Sequence, residues 1–95
     1  MSFDQKFKSE ILDKIRKYFP KAKIYFFGSR FRGDFKKNSD LDLCLDNSKP
    51  LDLVALSYLR EELAQSHLQF SVDIVDFHRI SKDFQIKILE ENELW

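Results

Sequence analysis

Gly28-Ser29 is followed, after ten residues, by Asp40-Leu41-Asp42. If the second segment is a strand, its side chains alternate, so Asp40 and Asp42 share a face while Leu41, Leu43 and Leu45 line the other. Two carboxylates so placed suit a divalent cation with oxygen ligands. They also repel: at about 5 Å and an effective dielectric of ~20 the penalty is roughly 3 kcal/mol. A small domain has only about 5–15 kcal/mol of net stability. The pair therefore needs water or a cation to offset it. Taken alone, Asp-x-Asp also fits a solvated face of an edge strand. The Gly-Ser at the end of the preceding apolar run, Ile24 to Phe27, is what favours chemistry. Gly28 permits a positive φ or a close backbone approach, and Ser29 is a favoured N-cap for a short helix. A strand that runs into a helix N-terminus leaves backbone N–H groups free for phosphate oxygens.

Competing motifs fail on particular residues. Gly28 and Gly33 have P-loop spacing, but Asp34 and Phe35 stand where Lys and Ser/Thr are required. An EF-hand loop needs an oxygen ligand where Cys44 stands and a glycine where Leu45 stands.

The elements that must hold these residues follow from periodicity. Phe3, Phe7, Ile11, Ile15 and Phe19 recur every four residues, which predicts an amphipathic helix, capped by Ser2 or Asp4 and stopped by Pro20. Ile24 to Phe27 and Leu41 to Leu45 read as strands, and Asp46 to Pro50 as a turn. Leu53, Leu56, Leu59 or Arg60, and Leu63 predict a second long helix behind an Asp52 cap. Phe70 to Phe77 reads as a third strand, carrying Asp73 among Val72, Ile74 and Val75. A carboxylate in an apolar strand is costly without a partner. Asp76 lies on the opposite face nearer the strand end, where a capping or loop role is expected. A last helix begins at Ser81, with Phe84, Ile88 and Leu89 on one side. The order is helix, strand, short helix, strand, helix, strand, helix, and residues 1–95 are expected to form a single α/β domain.

Composition bounds the function. Sixteen basic and sixteen acidic residues cancel, so no global basic field exists to hold nucleic acid. Ten phenylalanines supply large burial units for one core. The single cysteine excludes an intrachain disulfide framework. No apolar run approaches the ~18 residues of a membrane span, and the N-terminal residues lack the apolar core of a signal peptide. A cytoplasmic location is expected.

Gly-Ser, ten residues and Asp-x-Asp, between two apolar runs, resembles the signature of the DNA polymerase beta-like nucleotidyltransferases. The short chain and the form Gly28-Ser29-Arg30-Phe31-Arg32-Gly33 resemble their minimal nucleotidyltransferase (MNT) branch. The resemblance extends from about Ile24 to Phe77. It implies an α/β (α+β) nucleotidyltransferase fold, a small mixed sheet with helices on one face and an acidic site on the other. It implies that Gly28 and Ser29 hold a nucleoside triphosphate tail, ATP by analogy. Arg30, directly after them, is the first candidate among Arg30, Arg32, Lys36 and Lys37 to screen its charge. Asp40, Asp42 and, as third acid, Asp73 would hold two Mg²⁺ ions, with Mn²⁺ as an alternative. Asp73 would also take the acceptor proton.

Three functions from different classes fit that resemblance. One is adenylylation of a HEPN-type partner protein, as by antitoxin members of the family. The second is nucleotidyl transfer to a small hydroxylated compound by a two-chain enzyme. The third is a binding module that neutralises its partner by contact, against which the intact acidic triad counts. The helices' apolar positions are needed for the core, which leaves no segment for an enclosing acceptor pocket. A partner chain is therefore expected to bring the acceptor, meeting residues such as Phe31, Phe35, Leu94 and Trp95.

Overall fold

A computed structural model describes residues 5–33, 40–68 and 70–95. Helix α1 spans Gln5–Tyr18, strand β1 Lys23–Phe27, helix α2 Ser29–Arg32 and strand β2 Leu41–Asp46. Helix α3 (Leu53–Ala64), strand β3 (Val72–Asp76), helix α4 (Lys82–Glu90) and strand β4 (Glu93–Leu94) complete the chain. The sheet order is β3-β2-β1-β4. β2 is antiparallel to β1 and parallel to β3, while β4 is antiparallel to β1. The sheet is thus mixed, as expected.

Strand alternation sorts the two faces. Ile24 and Phe26 of β1, Leu41, Leu43 and Leu45 of β2, and Ile74 of β3 are buried together with Ile11 and Ile15 of α1 and Leu56, Leu59 and Leu63 of α3. Burying side chains of this size is worth about 1.5–3 kcal/mol each, which is what fixes the strand register. The α1 stripe behaves as its spacing predicts from Phe7 onward. Phe3 and the candidate caps Ser2 and Asp4 lie outside the described residues. Lys17 of α1 pairs with Glu62 of α3 at 3.1 Å, and Tyr18 also hydrogen-bonds that carboxylate, tying the two helices on their outer side.

α4 has a different place. The rings of Phe27 and Phe84 meet edge to face with centroids 5.8 Å apart. Phe27 alternates with the core residue Phe26, so α4 packs on the face opposite α1 and α3. Ile88 is buried there, outside the main core cluster. The one-face arrangement of helices therefore holds for α1 and α3, and α4 covers part of the acidic face.

Two details differ from the sequence reading. Leu53 heads the expected apolar stripe of α3 but is 61% exposed, because Asp52 caps the helix by accepting from Val54 N and turns that first residue outward. The chain's last residues also form a strand that the sequence did not announce. Trp95 N donates to Ile24 O at 2.8 Å, and the indole packs against Phe26 at 5.2 Å. Trp95 and Phe31 thus close the core edge, while Leu94 stays exposed.

Candidate active site

The acids are set by sheet register. Asp42 of β2 lies directly beside Asp73 of β3, with Leu43 beside Ile74 in the next pair. In a parallel pair, residues in register point to the same face, so both carboxylates leave the core side. Asp40 stands two residues before Asp42 and is exposed. Burial, then the charges of Asp73 and Asp40, push the Asp42 carboxyl up to about 6 from an ordinary 3.8, and Arg32 opposes the shift. Asp40 and Asp73 thus both bear on Asp42.

Asp76 belongs elsewhere. It is buried on the core face, accepts from Leu51 N at 2.8 Å and His78 N at 3.0 Å, and pairs with Arg79 at 2.6 Å. Arg79 also donates to Leu51 O at 2.7 Å. This network clamps the loop between β2 and α3 to the end of β3, in keeping with the capping role expected of Asp76. Cys44 is likewise structural: it is buried, and burial pushes its thiol up to about 12, which leaves no reactive thiolate.

Gly28 joins the acid cluster by close approach. It directly follows Phe27, the partner of Asp42 on β1. A Cβ on Gly28 would strike the Asp42 carboxylate, lying only 3.0 Å from its Cγ. Gly28 also has φ +85°, a value that disfavours any side chain. The residue before α2 is thus Gly28 rather than Ser29. Gly28 occupies the N-cap position without a side-chain cap, and Ser29 is the first helical residue. Gly33 closes this single turn in the left-handed region, its N–H donating to Ser29 O at 2.9 Å. The strand-to-helix geometry expected of Gly28-Ser29 is present, but the cap is backbone alone.

The two arginines of α2 part company. Arg30 is 7% exposed, with its guanidinium 4.5 Å from the centroid of the Phe70 ring. This placement argues against the triphosphate contact expected of it. Arg32 is exposed, and its charge acts on Asp42. Sequence order favours Arg30, which directly follows Gly28-Ser29. The signal that separates them is that Arg32 N closes the helical turn onto Gly28 O at 3.0 Å, which puts residue 32 above residue 28. Lys36 and Lys37 lie outside the described residues, as does Phe35.

A cavity of about 370 Å³ adjoins the cluster, between the end of β1 and α4. Phe27, Gly28 and Arg32 form one wall, and Phe84, Lys87 and Ile88 much of the other. Asp73 is exposed and lines neither this cavity nor a second one, of about 410 Å³, at the outer edge of β3.

Among the described residues, no three His, Cys, Asp or Glu side chains converge into a preformed metal shell. The donor set nonetheless fits a hard cation that arrives with its substrate. Mg²⁺ is commonly held by one or two carboxylates plus substrate phosphates. Burial and the charges of Asp73 and Asp40 raise the Asp42 carboxyl, a cost that a bound cation would offset.

Comparison with known proteins decides the family. The family model "Polymerase beta, Nucleotidyltransferase" matches residues 9–94. The chain belongs to this family. It is 41% identical over 66 residues to a probable protein adenylyltransferase, MntA, of Haemophilus influenzae, covering 70% of this chain and 58% of that one. The chain thus spans little more than half the length of that relative. Its structure is similar to that of a toxin-antitoxin crystallised with AMP-PNP, with a TM-score of 0.78 and 31% identity over 93% of this chain and 72% of that one. A complex of tri-AMPylated Shewanella oneidensis HEPN toxin with MNT antitoxin matches with a TM-score of 0.74 and 27% identity, over 98% and 72%. Among the described residues no helix is long and apolar enough to cross a membrane.

Proposed function

We propose that this chain transfers an adenylyl group from ATP to a hydroxyl on a HEPN-type partner protein. The observation that carries the reading is the contact of Gly28 with Asp42, itself in register with Asp73. It brings the backbone that would cradle phosphates against the middle acid of the cluster. The naming of the relatives as adenylyltransferases, and the AMPylated toxin in a complex with a similar MNT chain, support the donor and the partner.

Asp40, Asp42 and Asp73 would hold Mg²⁺ or Mn²⁺. When bound, the metal supplies positive charge that lowers the acceptor hydroxyl's pKa and neutralises the triphosphate. Gly28 and Ser29 hold the triphosphate through backbone N–H groups, and Arg32 adds a positive charge at the same end. The acceptor oxygen bonds to the α-phosphorus, and the bond from that phosphorus to the oxygen bridging to the β-phosphate breaks. Pyrophosphate leaves with that electron pair. Asp73, exposed on the side away from Gly28, takes the hydroxyl proton. The acceptor comes from another chain because Asp73 faces solvent rather than an enclosed pocket.

Co-purification with the partner, followed by intact mass measurement after incubation with ATP and Mg²⁺, tests this. The partner should gain adenylate masses. An unmodified partner, together with efficient transfer to a small hydroxylated compound by the chain alone, overturns the proposal.

A further inference from the structure

Among the described residues only two charged side chains are buried, Asp76 and Arg30. Asp76 is accounted for by its clamp on the loop before α3. Arg30 lies with its guanidinium 4.5 Å from the centroid of the Phe70 ring. Desolvating a guanidinium is costly, and an apolar side chain would fill the same space without that cost. Phe70 is held in turn by Phe7 of α1, ring edge to face at 5.9 Å.

The two partners come from opposite sides of Asp42. β1 runs into α2, which carries Arg30. Phe70 leads into β3, and the next residue, Ser71, accepts a hydrogen bond from Leu41 N at 2.8 Å. Phe27 pairs with Asp42 and Asp42 with Asp73, so both segments lie at one end of the sheet. β1 and β3 are not neighbours, however. β2 stands between them, which sets them about 10 Å apart, beyond the reach of a backbone hydrogen bond. Only a long side chain can join the two segments directly, and Arg30 on Phe70 does so.

We infer that Arg30 is a positioning residue for the transfer: stacked on Phe70, it fixes the Gly28-Ser29 turn relative to the strand that carries Asp73. This deepens the adenylyl-transfer reading above and rests on it. In that reaction the turn places the α-phosphorus, and Asp73 takes the proton of the attacking hydroxyl. The rate therefore depends on how the two segments are spaced, and a misplacement of roughly 1 Å can slow such a step about 10²-fold. Binding of ATP needs the turn alone, so Arg30 acts on kcat and not on KM. The planar guanidinium matters, because a lysine ammonium is a point charge that does not stack.

The test measures single-turnover transfer from saturating radiolabelled ATP to the co-purified HEPN-type partner, beside ATP affinity by calorimetry in Mn²⁺. Rates are taken per folded molecule, well below each melting temperature. Arg30→Met keeps most of the stem and loses the guanidinium. It should slow transfer about tenfold or more and leave ATP affinity within about twofold of the parent. Arg30→Lys, the milder change, should fold and still slow transfer several-fold. Phe70→Leu, which loses the ring face, should behave as Arg30→Met does, whereas Phe70→Tyr keeps the face and should retain the parental rate. Arg30→Met combined with Phe70→Leu should be no slower than the slower single variant, since both remove one contact. Parental transfer rates with a lowered melting temperature show packing alone and overturn the inference. So does weakened ATP affinity at an unchanged rate, which makes Arg30 a nucleotide contact, and so do losses that multiply in the double variant. Absence of transfer by the parent overturns the adenylyl-transfer reading and this inference with it.

Discussion

Asp42→Asn should leave a protein that cannot transfer nucleotide yet is more stable than the parent at neutral pH. The Asp42 carboxyl is pushed from 3.8 to about 6 by burial and by Asp73 and Asp40. That displacement corresponds to roughly 3 kcal/mol. The group is partly exposed, so solvent screening cuts the figure to about 1–1.5 kcal/mol. The sign follows from proton counts. Between pH 3.8 and about 6 the folded state holds the proton more tightly than the unfolded chain, so the parent loses stability as pH rises through this window. Above about pH 6 the full penalty is present; below about pH 4 it is gone.

Asparagine removes the ionisation and keeps the shape. At pH 8 the variant should therefore melt about 4–12 °C higher, taking roughly 4–8 °C per kcal/mol for a domain of this size. At pH 4 the two melting curves should converge. Thermal unfolding across pH 4–8, in a chelator to exclude metal, measures this directly. Saturating Mg²⁺ and ATP should then narrow the gap from the other side, because ligand bound by the parent alone raises its melting temperature. An Asp42→Asn protein that melts below the parent at pH 8 would refute the reasoning, since the carboxylate would then be a structural partner. So would a gain that persists unchanged at pH 4.

The two acids of β3 should separate cleanly. Asp73→Asn should stop turnover and spare both ATP binding and stability, whereas Asp76→Asn should cost about 2 kcal/mol by weakening a buried ion pair and two backbone contacts while the acid cluster keeps its chemistry; denaturant titration beside a single-turnover assay reads both. The arginines of α2 should divide in the same way. Arg32→Gln should raise the KM for ATP several-fold with little change in melting, and Arg30→Gln should lower the melting temperature through lost packing on Phe70 with little change in KM; the reverse pattern would show that Arg30 faces the nucleotide after all.

Much of this site was legible because it depends on short-range periodicity. Asp40 and Asp42 share a face by strand alternation, and the same parity divides Asp73 from Asp76. Gly28 was legible as a residue needed for close approach, though the carboxylate it approaches is twelve positions away at the nearest and fourteen in fact, on another strand. What escaped was set by tertiary packing. Glu93-Leu94 has no strand pattern of its own and becomes a strand only by pairing with Tyr25 and Phe26. Ser29 has the right chemistry for an N-cap, but the positive φ of Gly28 takes that position first. The split of Arg30 from Arg32 needed the direction of a single helical turn. The sequence pattern predicts one apolar side of α4, Phe84, Ile88 and Leu89, yet Leu89 is 50% exposed and only Ile88 is buried. Its packing partner is the acidic face, which the sequence had reserved for chemistry.

That crossing of α4 bears on how so small a sheet could serve the proposed transfer. β3 and β4 are the two edges of the sheet, and α4 connects them. To join opposite edges it must pass over a face, and the core face is already filled by α1 and α3. The helix therefore passes over the acidic face, where it reaches Phe27 and flanks Gly28 but leaves Asp73 exposed. Topology alone thus walls one side of the acid cluster and opens the other. In the proposed transfer, an acceptor hydroxyl from another chain would approach on the open side, where Asp73 is exposed. If the acceptor is held by another chain, as proposed, that partner's shape rather than a pocket in this domain would determine which hydroxyl is modified.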